Sequence, residues 1–135
     1  MKKYLNLSLL YAFAAMFCGV FYREFTKWNG YNKATTLGKA HAHLFVMGTI
    51  VFLIIALFST HQELKKDKMF SVFMWVYNIG LPITTVMMVV RGITQVLNIS
   101  LSGAENAAIS GIAGIGHILT GTGIILLLVS LKRQQ

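Results

Sequence analysis

Four long stretches of this chain contain no charged side chain: 4–22, 41–59, 69–90 and 107–131. Each is close to the ~20 residues an α-helix needs to cross ~30 Å of hydrocarbon. They are continuously apolar, whereas a strand of a membrane barrel alternates. The pattern therefore predicts one integral membrane domain over 1–135: an all-α, antiparallel up-down bundle of four transmembrane helices at about 4–22, 41–59, 69–97 and 107–131. Pro82 lies inside the third run. It removes the hydrogen bond to the carbonyl of Asn78, so the third helix is expected to bend there, with Thr84 and Thr85 available to the freed groups.

Composition supports this class. Hydrophobic residues make up 56% of the 135 residues, above the ~45–50% of a soluble domain even when glycine is counted there. A net charge of +8 could suggest nucleic acid. The basic residues, however, lie in short loops and at both ends, which is the pattern of membrane topology and makes the bilayer the expected partner. Cys18 is the single cysteine. It excludes an intrachain disulfide and a multi-cysteine metal site, and is expected to pack as a small apolar residue. The four acidic residues form no pair within a run, and no phosphate-binding glycine loop occurs. Catalysis by this chain alone is not expected. Met1-Lys2-Lys3 and Ala12-Phe13-Ala14 have the look of a secretion signal, but the apolar run continues for eight residues past Ala14, so an uncleaved first helix is expected.

The connections orient the bundle. Connection 23–40 holds Arg23, Lys27, Lys33 and Lys39 with Trp28 and Tyr31, a headgroup-layer mixture, and Asn29-Gly30 marks a turn within it. Connection 60–68 holds Lys65, Lys66 and Lys68, and connection 98–106 has no Lys or Arg. With Lys2, Lys3, Lys132 and Arg133, one side carries seven basic residues and the other four, setting Arg91 aside. Both termini are then expected in the cytoplasm of a multi-pass cell-membrane protein.

Histidine carries the chemistry. A neutral imidazole is the commonest protein ligand for iron, copper and zinc, and an ionisable group in a span is costly. His41 and His43 open the second run, and His117 sits ten residues into the fourth. His61, at the other end of the second run, is expected to be solvated and without a role. Gly114, His117 and Gly121 fall at i, i+3 and i+7, one helical face, with Gly111 and Thr120 nearby. Small residues around an imidazole leave a flat recess that suits a porphyrin; the same spacing also serves close helix packing. His41 and His43 are about 200° apart around a helix, so only one can face a given iron. His43 is deeper and shares its face with Met47, which makes it the first choice and His41 the alternative. Arg91 ends the third run, where it could pair with haem propionates, with Glu105, or with headgroups. One difficulty is depth: His43 and His117 are ~12 Å apart along the bundle if the helices start where the apolar runs do.

The segments His41-Ala42-His43-Leu44-Phe45-Val46-Met47-Gly48, Gly114-Ile115-Gly116-His117 and Tyr22-Arg23-Glu24-Phe25-Thr26 resemble a family of small four-helix bacterial membrane proteins of unknown function. A His-x-His-Leu segment opening a membrane helix is also similar to the haem–copper oxidase superfamily and to NnrS-like membrane proteins. That resemblance implies haem ligation by His43 and His117, with His41 as a further candidate, but not oxygen reduction, because the oxidases' full histidine set is absent. The leading expectation is b-type haem between the second and fourth helices, serving electron transfer, sensing or cofactor handling, with copper or no cofactor as alternatives. Its cofactor residues would be His43, His117, Arg91, Gly114 and Gly121. Two other functions stay open: a cofactor-free assembly or interaction subunit, and a small transporter with a His/Arg polar path. A second copy of the chain or a respiratory-type membrane protein would be the partner.

Overall fold

The computed structural model describes residues 1–60 and 64–134; His61 lies outside them. Four long helices account for nearly all of it: α1 (Lys2–Trp28), α2 (Leu37–Phe58), α3 (Lys68–Val96) and α4 (Gly103–Arg133). All four are long and apolar enough to cross a membrane. One end of the bundle, the terminal end, carries both chain ends and the α2–α3 connection. The other, the distal end, carries the α1–α2 and α3–α4 connections.

The helices outrun the apolar stretches. Helix formation depends on backbone geometry and caps, so it continues into polar sequence. Ser102 and Glu105 form a reciprocal capping box that starts α4 at Gly103, four residues before its apolar run. Asp67 caps α3 by accepting from the Met69 amide at 3.0 Å. The turn at Asn29-Gly30 uses a left-handed Gly30 with φ of 60°. Helix α3 runs without interruption through Pro82. Thr85 donates back to the Leu81 carbonyl at 2.9 Å, while the buried Thr84 hydroxyl has no partner among the described residues.

Packing follows chain order: α1 lies on α2, α2 meets α3, and α3 joins α4 in the most extensive interface of the bundle. The core is aromatic. Tyr11 stacks on Phe52 with centroids 5.5 Å apart, and Phe73 and Tyr77 close the cluster. Within α2, Leu44–Ile50 is a π-helical segment. Two hydroxyls reach its carbonyls from neighbouring helices: Tyr77 donates to Met47 O at 2.7 Å and Ser8 to Thr49 O at 2.8 Å. Such wide turns often mark functional positions, and this one begins directly after His43.

Between α3 and α4 the backbones touch. A Cβ on Gly116 would come within 2.8 Å of the Thr84 amide nitrogen, and one on Gly80 within 2.7 Å of the Thr120 nitrogen. The glycines that close this seam are thus Gly80, Gly116 and Gly123. Gly111, Gly114 and Gly121 point the other way, with nothing within 4 Å of an added Cβ, and Thr120 belongs to the closed face rather than to theirs.

Candidate functional site

His43 and His117 face each other across the α2–α4 gap, with ring centroids 6.3 Å apart and planes at 85°. The expected difference in depth is largely absent, for a reason that lies in the stagger of the helices. Gly92 of α3 touches Leu37 at the start of α2, and Thr84 of α3 touches Gly116 of α4. Gly92 and Thr84 are eight residues apart, ~12 Å of rise. The same rise back along antiparallel α4 brings Leu37 level with residue 108. His43, six residues on from Leu37, is then level with residue 114, within one turn of His117. Helix α4 begins beyond the start of α2, and this offset brings the two imidazoles together.

Polar contacts fix the stagger. Gln95 Oε1, on the last turn of α3, accepts from Thr35 Oγ1 and from the Thr36 amide, both at 2.9 Å. The start of α2 is therefore pinned to α3, seven residues before His43. These residues, Thr35, Thr36 and Gln95, escaped sequence reasoning, because a short polar stretch in a connection gives no sign of what it will meet.

Both imidazoles are held by their own helices. His43 Nδ1 lies 3.1 Å from the Lys39 carbonyl, and His117 Nδ1 lies 2.8 Å from the Ala113 carbonyl. A carbonyl oxygen only accepts, so each Nδ1 carries the proton. In the neutral ring the lone pair is then on Nε2, the tautomer of a metal-ligating histidine with its backbone partner in place.

His41 has turned away, as a 200° separation requires. It packs against Gly19 of α1 and lies nearly parallel to the Tyr22 ring, with centroids 6.5 Å apart. Its Nδ1 is buried with no hydrogen-bond partner among the described residues.

Beside His117 is a recess of about 350 Å³, lined by Thr36, Met87, Met88, Arg91, Ser110, Ala113, Gly114 and His117. Arg91 is held by α4, donating to Asn106 Oδ1 at 3.0 Å and to Ser110 Oγ at 2.7 Å. Glu105, considered above as its partner, is occupied in the capping box. Gly121 lies outside the recess, on the open face of α4. Towards the terminal end, α2 and α4 stay apart across an apolar crevice of about 420 Å³ between Val51, Ile54 and Phe58 and Ile124, Leu127 and Leu131. A second crevice, about 540 Å³, separates α1 from α3 and is almost wholly apolar. No group of three or more His, Cys, Asp or Glu side chains converges among the described residues.

Large apolar side chains cover the outside of the bundle, among them Phe13, Phe17 and Val20 of α1 and Ile115, Ile118 and Ile125 of α4. With four membrane-length helices, this is consistent with a small multi-pass membrane protein, and two histidines stand side by side near its distal end. The chain belongs to the DUF2871 family, described as a protein of unknown function, whose family model matches residues 1–134. No curated protein and no solved structure matches it.

Proposed function

We propose that this protein binds b-type haem between α2 and α4, with His43 and His117 as axial ligands, and acts as a small membrane electron carrier. The observation that carries this is the opposed pair of imidazoles, each with Nδ1 tied to its own helix and Nε2 free. Two Nε2–metal bonds of ~2.0 Å, added to the reach of the two rings, span ~6 Å between centroids. The observed 6.3 Å suits one metal ion shared by both rings.

Haem fits the donor set better than a bare ion. Copper or zinc on two histidines would need further protein donors, and no larger cluster exists among the described residues. Met87 and Met88 border the recess and are the soft ligands that a copper alternative would use. Porphyrin brings four nitrogens and asks the protein for only two more. When bound, it would supply one-electron chemistry at iron, and two histidine ligands would leave no position there for a substrate. The chain's own part is to hold the two rings at a fixed separation and orientation through the Lys39 and Ala113 carbonyls, on a half-buried His43 and an exposed His117. The similarity of the His-x-His-Leu segment to haem–copper oxidase and NnrS-like helices supports the same choice.

The excess of Lys and Arg at the terminal end, seven against four, supports a topology with both termini cytoplasmic and the histidines in the outer half of the membrane. Labelling of single cysteines on a Cys18→Ser background by an impermeant reagent tests it. The 23–40 connection should react in whole cells, and reaction of the 60–68 connection would reverse the orientation.

The open face of α4 favours one second reading, a cofactor-free subunit. Gly111, Gly114 and Gly121 leave room there for another helix. The absorption spectrum separates the two. Haem-supplemented protein should show a low-spin, bis-histidine spectrum, and His43→Ala or His117→Ala should each abolish or convert it. A folded protein with no specific Soret band would sink the haem reading.

A further inference from the structure

Arg91 is a cation with no carboxylate partner among the described residues. Its guanidinium donates to Asn106 Oδ1, Ser110 Oγ and, at 3.5 Å, the Asn106 carbonyl, all of them neutral acceptors. The described carboxylates are engaged elsewhere. Glu24 is beside Arg23 at 3.9 Å, Asp67 is bonded to Ser130 and the Met69 amide, and Glu105 is bonded to Ser102. A guanidinium has five N–H donors; three are used here, so two are left over. The Ser110 hydroxyl accepts from Arg91 and donates to no described residue, so its proton is available too. These donors border the recess shared with Gly114 and His117.

We propose that this recess is a seat for one oxyanion, bound by the charge and remaining N–H donors of Arg91 and by the Ser110 hydroxyl. A cation with N–H donors to spare beside a hydroxyl suits an oxygen of a carboxylate or a phosphate through charge-assisted hydrogen bonds. A membrane offers two sources: a haem propionate, or the phosphate of an anionic phospholipid. The first rests on the haem reading above; the second does not. In the first case the seat also sets the direction of the porphyrin. Ser110 is seven residues, two turns, nearer the distal end than His117, so a propionate held there would turn its edge of the porphyrin to that end.

Two measurements test the seat. Unmodified protein is titrated with haem and with haem dimethyl ester, whose propionates carry no charge. The protein is also extracted from nanodiscs containing phosphatidylglycerol and diacylglycerol, and retained lipid is read by native mass spectrometry. The seat requires one of two results. Either haem binds at least tenfold more tightly than its ester, with the gap closing in Arg91→Gln, or phosphatidylglycerol is retained over diacylglycerol and lost in Arg91→Gln. Arg91→Lys should fall between, keeping the charge with fewer donors, and Ser110→Ala should cost a few-fold. The ester comparison needs no variant, so misfolding of Arg91→Gln cannot mimic it, and Ser110→Ala leaves the guanidinium in place for the lipid arm. Equal binding of haem and ester, with lipid retention indifferent to both substitutions, overturns the seat and leaves the haem reading standing. Absence of any Soret band removes the haem reading instead, and lipid retention alone then decides the seat.

Discussion

Helix α4 has two seams, and they are built in opposite ways. Against α3 it presents Gly116, Thr120 and Gly123, and the backbones come so close that a single added carbon meets the Thr84 amide at 2.8 Å. Against α2 it presents His117, Ile124 and Leu127, and towards the terminal end the two helices stay apart across an apolar crevice. In a bilayer, apolar side chains gain little by leaving lipid for each other, so close backbone approach is what joins two helices. A seam without it stays open to whatever else fits. The closed seam holds the bundle together; the open one holds the histidines.

The largest expected effect breaks the closed seam. Gly116→Leu forces a side chain into backbone that is already in contact. Overpacking costs ~1–3 kcal/mol in an ordinary core and more where backbone must move. The protein should fail to fold or lose most of its thermal stability in detergent. Gly114→Leu, two residues earlier, adds the same side chain where nothing lies within 4 Å. It should melt near the unmodified protein and lose haem, because it fills the recess beside His117. Equal melting losses in the two variants would mean the seams do not differ.

The second effect sharpens the open seam. His43→Ala should abolish the bis-histidine spectrum with little change in stability. His41→Ala should do the reverse, costing ~1–2 kcal/mol of packing on Gly19 and Tyr22 and leaving the spectrum intact. Equal spectral loss from both substitutions would contradict their opposite directions.

How far this contrast could be read from sequence depended on the kind of signal. The number of helices, their antiparallel order and their membrane length follow from apolar runs, and the structure has them. The geometric exclusion of His41 from the face of His43 follows from helical phase alone. The choice of glycine face did not follow. Gly114 and Gly121 share a face with His117, Gly116 and Gly123 lie on the face turned to α3, and periodicity treats both sets alike. The start of α4 could have been found, since Ser102-Gly103-Ala104-Glu105 has the spacing of a capping box. The stagger that brings His43 and His117 level depends on Thr35, Thr36 and Gln95, distant in sequence, and single-chain patterning carries no such register.

A smaller effect concerns the π segment of α2, which joins the two halves of the bundle. Tyr77→Phe removes the hydroxyl that donates to Met47 O and leaves that carbonyl without this bond. The loss should be ~1 kcal/mol, read as a lowered melting temperature with the aromatic cluster retained. No change would mean the widened turn satisfies its own carbonyls.

The smallest effect belongs to the terminal end, where α3 and α4 are tied at the edge of the apolar layer. Asp67 caps α3 and also accepts from Ser130 of α4. Those hydrogen bonds, that of Ser130 first, hold its carboxyl below the usual aspartate range, which lies near ~3.9. A carboxylate whose folded pKa is depressed stabilises the fold above the unfolded pKa, and that contribution fades as pH falls through the folded value. The melting temperature of the unmodified protein should therefore drop below about pH 4 through this group. Asp67→Asn keeps a competent N-cap, since asparagine caps as well as aspartate, but has no proton to take up. Its melting temperature should be slightly lower at neutral pH and should fall less steeply in acid, so the two profiles converge. Parallel profiles below pH 4 would show that the tie between α3 and α4 at this end does not depend on the charge of Asp67. The glycine seam alone would then hold α3 to α4.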